Sequence, residues 1–169
     1  MEELREEHPL PAQPQHIPHQ IVTVTDVLLE DGWKYSGTLK GHLPEGKGEE
    51  FGPNGDHFIG RFQNGQKNGD GTYYFSNGAV YKGEFKDNLM DGYGEFEFPN
   101  GDVFKGWFKN NVREGKGKYV PRQPNIDGML YFEGEYRNDL KNGAGVIKYQ
   151  EGEVRGMWKD GVYDYCFLN

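Results

Sequence analysis

Cysteine is almost missing from this chain of 169 residues: Cys166 stands alone. No internal disulfide can form, which predicts a cytoplasmic protein, and a lone thiol near the terminus reads as inert and partly packed. Apolar runs are short, and none approaches the length that crosses a bilayer. The acidic start Met1–Glu7 lacks the apolar segment of a secretory leader. Basic charge is in deficit, with 19 Lys and Arg against 27 Asp and Glu, a net charge of −8 and a pI near 5.1. That balance argues against nucleic acid as a partner, because phosphate contacts supply most non-specific affinity. It also weighs against anionic membranes, a local basic stripe aside. Helical periodicity is absent. So are a Cys/His dyad, zinc-ligand spacing and a phosphate-binding loop, so the chain reads as no enzyme, with no cofactor and no metal. His8, His16 and His19 match no closed zinc site.

What is abundant is glycine, 26 residues of it, placed at a fixed period. Tyr35-Ser36-Gly37-Thr38-Leu39, Phe58-Ile59-Gly60-Arg61-Phe62, Tyr81-Lys82-Gly83-Glu84-Phe85 and Phe104-Lys105-Gly106-Trp107-Phe108 follow one another every 23 residues. Phe132-Glu133-Gly134-Glu135-Tyr136 comes after an insertion, and Val154-Arg155-Gly156-Met157-Trp158 closes the series. With each unit numbered from its first aromatic, glycine fills position 3 in every copy. It fills positions 12 and 14 in every copy that reaches them, as in Gly69/Gly71, Gly92/Gly94, Gly115/Gly117 and Gly143/Gly145. Positions 1 and 5 are large and apolar, and positions 16 and 18 add Tyr73, Phe75, Phe96 and Phe98.

The spacings within each segment are even, and side chains two apart in a strand share a face. Each unit therefore reads as two short strands with an aromatic face and a solvated one, the latter carrying Lys82, Glu84 and Lys86. Asn54-Gly55, Asn77-Gly78 and Asn100-Gly101 supply hairpin turns at one edge. Gly65, Asn88, Asn111 and Asp139 at position 8 tolerate the left-handed backbone at the other. Unbulged pairing sets position 5 opposite 12, and 14 opposite position 5 of the next unit, so that each ring rests across a glycine. The fold class is all-β: an elongated, single-layer antiparallel β-meander. Residues 1–20, rich in Pro, His and Gln, read as a disordered or extended tail. Residues 21–169 hold the array: a half-repeat at 21–34, repeats from 35, 58, 81, 104 and 132, and a partial repeat from 154.

The pattern aromatic-x-Gly-Glu-aromatic, Gly-x-Gly, then Asn-Gly resembles the MORN repeat, and Tyr81–Phe85, Gly92–Gly94 and Pro99–Gly101 match it best. The resemblance spans roughly residues 27 to 165. It implies a twisted single-layer sheet, repeats without catalysis, and roles in cytoskeletal or ciliary assemblies such as radial spoke heads, through protein binding or dimerisation. Lipid binding has also been credited to such arrays. Two departures stand out. Many such repeats carry histidine before Gly-x-Gly, where this chain has Glu45, Asn68, Asp91, Glu114 and Asn142. The fourth repeat is stretched by Pro121–Asn125, so its second strand and turn are expected to leave the standard geometry; two readings are open, a tolerated surface insertion and a loop that fixes a partner.

A single sheet with one apolar side and no evident lid exposes a groove, and contiguous exposed apolar surface marks an interaction site. The expected partner contacts are Phe58, Phe62, Tyr73, Phe75, Tyr81, Phe85, Phe96, Phe98, Phe104 and Phe108, with much of the stripe packing on itself. A helix or extended segment of another protein is the expected occupant, in a homo- or hetero-oligomer. Position 9 adds Leu89, Val112 and Leu140, which either tuck under the sheet edge or form a docking ridge. Two functions compete. One is a non-catalytic scaffold in the cytoplasm, in the cytoskeleton or the axoneme of a cilium or flagellum. The other is a membrane-surface module using Lys82, Lys86, Lys105 and Lys109.

Overall fold

The computed structural model describes residues 20–125 and 127–164. The tail expected over residues 1–20 lies outside them except for Gln20, and so does Cys166. The described chain forms one antiparallel sheet of 13 strands whose spatial order is the chain order. The strands are β1 Ile21–Leu28, β2 Lys34–Lys40, β3 Leu43–Phe51, β4 His57–Gln63, β5 Gln66–Tyr74, β6 Val80–Lys86 and β7 Leu89–Glu97. They continue as β8 Val103–Lys109, β9 Val112–Val120, β10 Met129–Arg137, β11 Leu140–Tyr149, β12 Glu153–Lys159 and β13 Val162–Asp164. At about 4.8 Å per strand the stack runs for about 58 Å.

The two sets of turns differ. At one edge, two-residue connections place both residues in the left-handed region: Asn64 and Gly65, Asp87 and Asn88, Asn110 and Asn111, Asn138 and Asp139, Asp160 and Gly161. This is the backbone that matches the twist of a tight hairpin. At the other edge, the Phe75 amide donates to the Ala79 carbonyl and the Gly78 amide to the Phe75 carbonyl. Gly78 takes φ +89° there.

The register differs from unbulged pairing. Gly60 faces Gly71 and Phe58 faces Tyr73, but Phe62 faces Lys67, because β5 carries extra residues after Lys67. The same shift recurs between β6 and β7 and between β8 and β9. The cause is the position-12 glycine: Gly69, Gly92, Gly115 and Gly143 all have positive φ and sit where the second strand bulges. Position 12 therefore faces position 5 of the following unit, as Gly69 faces Phe85 and Gly92 faces Phe108. Position 3 faces 14 on both sides, so Gly60, Gly71, Gly83, Gly94, Gly106, Gly117, Gly134 and Gly145 form one continuous row across the sheet.

Rings cover this row by leaning along their own strand. A methyl group on Gly94 would come 2.5 Å from Tyr81 Cε2, and one on Gly145 would come 2.7 Å from Phe132 Cε2. Glycine is needed because the ring two residues before position 3 lies flat over it and over its cross-strand partner. From that seat Phe58, Tyr81, Phe104 and Phe132 meet the position-5 rings of their own unit and the next, and Tyr35 meets that of the next. Tyr35, Phe62, Phe58, Phe85, Tyr81, Phe108, Phe104, Tyr136, Phe132, Trp158 and Tyr163 thus form an edge-to-face chain with centroids 5.0–5.6 Å apart. Such pairs add about 0.5–1.5 kcal/mol beyond area burial, so this chain is the core of a sheet that has no second layer among the described residues.

The stretched fourth repeat keeps its strand. β9 pairs with β8 and β10 in the standard register, from Val103 opposite Val120 to Gly117 opposite Gly134. The extra residues are absorbed between β9 and β10, where Asn125 accepts from the Gly128 and Met129 amides. The expectation that the second strand would be displaced is therefore corrected; only the turn changes.

Candidate functional site

The aromatic face has a buried row and a half-buried row. Phe58, Phe62, Tyr81, Phe85, Phe104 and Phe108 are at most 5% exposed. They belong to the self-packed chain and offer no surface to a partner. Tyr73, Phe75, Phe96 and Phe98 lie half-buried beside them and touch in series with Trp33 and Tyr119, with centroids 4.5–6.4 Å apart. This second row is the accessible part of the aromatic face.

Two aspartates brace that row. Asp56 accepts from the Tyr73 hydroxyl at 2.7 Å and the Ser76 amide at 2.7 Å. One unit pair further on, Asp102 accepts from Tyr119 Oη and the Arg122 amide. Between them the pair is Ala79 and Phe96, where neither hydroxyl nor carboxylate is present. Burial alone would raise the Asp56 carboxyl, but the donations from Tyr73, the Ser76 amide, Asn54 and the Ser76 hydroxyl outweigh it and hold the group at about 2. Since this lies below the unfolded value of 3.8, the stabilisation is complete above pH 3.8 and is lost as pH falls from there towards 2. Tyr73→Phe is expected to raise the Asp56 carboxyl and shrink that acid-sensitive step; a carboxyl NMR titration that leaves Asp56 unmoved would contradict the bracing.

The shift in register also brings position 10 onto the aromatic face. Residues directly opposite in a pair share a side, and Lys67, Met90, Arg113 and Lys141 oppose Phe62, Phe85, Phe108 and Tyr136. Lys67 lies 4.8 Å from the Trp33 ring centroid and 5.2 Å from that of Phe58, with its Nζ 2.7 Å from Glu50 Oε2. Glu50 is the one buried charged residue among those described. Burial raises its carboxyl above the usual value, while the hydrogen bond and charge of Lys67 pull the other way. Sequence reasoning overlooked these cations. Yet a two-residue turn at positions 7 and 8 must pair 6 with 9 and 5 with 10, and that signal was available.

The residues standing where histidine is usual have a role as well. Glu45 accepts from the Asn64 amide, Asn68 from Asp87, Asp91 from Asn110 and Glu114 from Asn138, at 2.9–3.4 Å. Each thus fastens the hairpin tip of the following unit. Leu89 and Val112 are half-buried and Leu140 is 46% exposed. Position 9 opposes position 6, as Leu89 opposes Lys86, so this row sits at the hairpin tips, where Leu140 also borders the concavity lined by Tyr136 and Lys141.

That second face is not uniformly solvated, which corrects the reading from positions 2, 4 and 6 alone. Phe51, Ile59, Tyr74, Tyr93, Trp107 and Val120 are exposed on it, at 37–51%. His57 stacks between Phe51 and Tyr74 at 4.1 and 5.3 Å and lies 2.6 Å from Glu49. Tyr93 and Trp107 meet edge-to-face at 5.8 Å and border an open concavity of about 890 Å³. Lys82, Lys86, Lys105 and Lys109 are exposed on this face too, and Lys105 is tied to Glu95 at 2.7 Å. Among the described residues no group of three His, Cys, Asp or Glu could hold a metal ion. No helix among them is long and apolar enough to cross a membrane.

Comparison with known proteins returns a family. No curated protein matches the chain. Among solved structures, the Drosophila melanogaster SAS-4 (dCPAP) TCP domain in complex with a proline-rich motif of Ana2 (dSTIL) is similar at 16% identity, over 91% of this chain and 92% of that one. Its TM-score is 0.34. The MORN repeat model matches residues 35–57, 58–80, 81–103, 104–120 and 132–154. Those segments carry the glycine row, the ring chain from Tyr35 to Tyr136 and both kinds of turn, and the chain belongs to the MORN-repeat family, a non-enzymatic repeat module of the kind that binds proteins or associates with membranes.

Proposed function

We propose that this chain is a non-catalytic scaffold that docks a helix or extended segment of another protein along the half-buried row of its aromatic face. The observation that carries this reading is the series Tyr73, Phe75, Phe96, Phe98 and Tyr119, which continues across several repeats with no covering element among the described residues. A contiguous apolar row of that kind favours a partner over water, and extended or helical segments are what such grooves accept. The setting we propose is cytoplasmic, in a cytoskeletal assembly such as a ciliary axoneme, on the family resemblance alone. The competing reading, a module for anionic membranes, rests on the second-face lysines. The pairing of Lys105 with Glu95 and the net charge of −8 weaken it.

The test is affinity capture with the full chain and with a Phe75→Ser/Phe98→Ser variant, alongside flotation with anionic vesicles at physiological salt. The expected outcome is a stoichiometric protein partner that the folded variant loses, and no flotation. Retention on vesicles without a captured partner would overturn the proposal.

A further inference from the structure

Position 10 holds a cation in three units, and their surroundings are not equivalent. Lys67 has a carboxylate at 2.7 Å because position 16 of the preceding unit is Glu50. For Lys141 the corresponding residue is Tyr119. The Lys141 ammonium lies 4.4 Å from the Phe132 ring centroid, and among the described residues no carboxylate or carbonyl is placed to accept from it. Burial lowers its pKa first, and the like charge of Arg113 lowers it further. Arg113 itself is only partly satisfied. Its Nε meets Asp139 Oδ1 at 3.1 Å and its Nη2 meets the Asp139 carbonyl at 2.7 Å, while its guanidinium lies over Tyr136 and Phe104.

These two cations line an open concavity of about 620 Å³ on the aromatic face, with Phe98, Tyr136 and Leu140 among its walls. Two carboxylates border it as well, and both are engaged elsewhere: Asp102 with Tyr119, Asn100 and Arg122, and Asp139 with Arg113. The concavity adjoins the end of the half-buried row at Phe98 and Tyr119. An ammonium with no acceptor among the described residues, held half-buried among rings, is costly unless a binding partner supplies one.

We propose that this cleft binds a single carboxylate side chain carried on an apolar segment of a partner protein, the carboxylate lying beside Lys141 as Glu50 lies beside Lys67. The inference rests on the aromatic face being a protein-docking surface and names the chemistry that surface selects. A protein carboxylate fits better than a phosphorylated headgroup. The site offers one ammonium unpaired among the described residues and part of a guanidinium, is walled by rings and Leu140, and is bordered by Asp102 and Asp139, which would repel a polyanion.

The probes are two blocked tripeptide amides, leucyl-glutamyl-phenylalanine and leucyl-glutaminyl-phenylalanine, titrated by NMR into the full chain. The glutamyl peptide is expected to bind about tenfold more tightly, the worth of one charge-assisted hydrogen bond. Lys141→Met is expected to erase that preference, and Lys82→Met on the second face to leave it unchanged. Among the described residues Lys141 has no carboxylate partner to lose, so Lys141→Met is expected to stay folded, which its thermal transition checks. Failure of the glutamyl peptide to bind, equal affinities, or a preference that survives Lys141→Met overturns the site. So does Lys141-dependent binding to phosphatidylinositol bisphosphate vesicles without any peptide preference. If Phe75→Ser/Phe98→Ser loses a captured partner but the peptides show no preference, the cleft fails and the docking face stands. If the preference appears but no partner is captured, the scaffold reading fails and the site stands.

Discussion

Lys67→Met is expected to destabilise the fold by about 3–5 kcal/mol, the usual consequence of removing one member of a buried ion pair. Lys141→Met, at the equivalent place three repeats on, is expected to change stability by less than about 1 kcal/mol or to raise it. The difference lies in what each lysine leaves behind. Lys67 is 2.7 Å from Glu50, and both side chains are almost fully enclosed by Trp33 and neighbouring rings. Without Lys67 the Glu50 carboxylate has lost its counter-charge and sits in an apolar setting. Its carboxyl is already raised by burial, and the variant raises it further. A carboxyl whose folded value exceeds its unfolded one loses stability as pH climbs through that interval, so Lys67→Met should be more stable near the ordinary value of 4.5 than at neutral pH. Lys67→Met/Glu50→Leu should recover most of the loss, because an apolar pair of similar volume avoids the desolvation. Denaturant unfolding at two pH values measures all of this, and equal losses for Lys67→Met and Lys141→Met would show that the pair is not coupled.

The second large effect concerns the glycine row. Gly94→Ala is expected to cost about 3 kcal/mol, the upper range for forcing a methyl into a packed core. The new methyl would lie 2.5 Å from the Tyr81 ring, which is fully buried and held between Phe85 and Phe108 at 5.2 and 5.1 Å. That ring has nowhere to retreat. Gly78→Ala provides the contrast, since nothing lies within 4 Å of its added methyl and only its φ of +89° opposes the change. It should cost about 1–2 kcal/mol. A double-mutant cycle of Gly94→Ala with Tyr81→Leu separates ring contact from backbone effects, because the steric term disappears once the ring is gone. Additive losses would mean that the ring does not rest on Gly94.

Much of this architecture can be read from spacing alone. The 23-residue period, the two strands per unit, the aromatic stripe and the left-handed residues at the hairpin tips all follow from parity and turn chemistry. The register does not, because parity counts assume that strands pair without interruption. Gly69, Gly92, Gly115 and Gly143 break that assumption through positive φ, and a positive φ is not visible in a glycine's letter. Once the bulge is known, Gly71 faces Gly83 rather than the Phe85 ring, while the two-residue turn by itself sets Lys67, Arg113 and Lys141 opposite position 5 on the aromatic side. The docking row was legible as a list of aromatics, but not its division into buried and half-buried members. That division depends on which ring leans over which glycine. The apolar residues of the second face escaped notice for another reason. Phe51, Tyr74 and Val120 share position 17, a signal broken by Glu97 and Lys148, while Tyr93 and Trp107 occupy positions that other units fill mostly with polar or charged residues.

If a partner segment lies on the half-buried aromatic row, carbene footprinting of the full chain with and without its captured partner will show it. Strong protection is expected at Tyr73, Phe75, Phe96 and Phe98, extending to Tyr119 and Leu140, with labelling of Tyr93 and Trp107 unchanged. Protection confined to Tyr93, Trp107, Phe51 and Tyr74 would place the partner on the opposite face and contradict it.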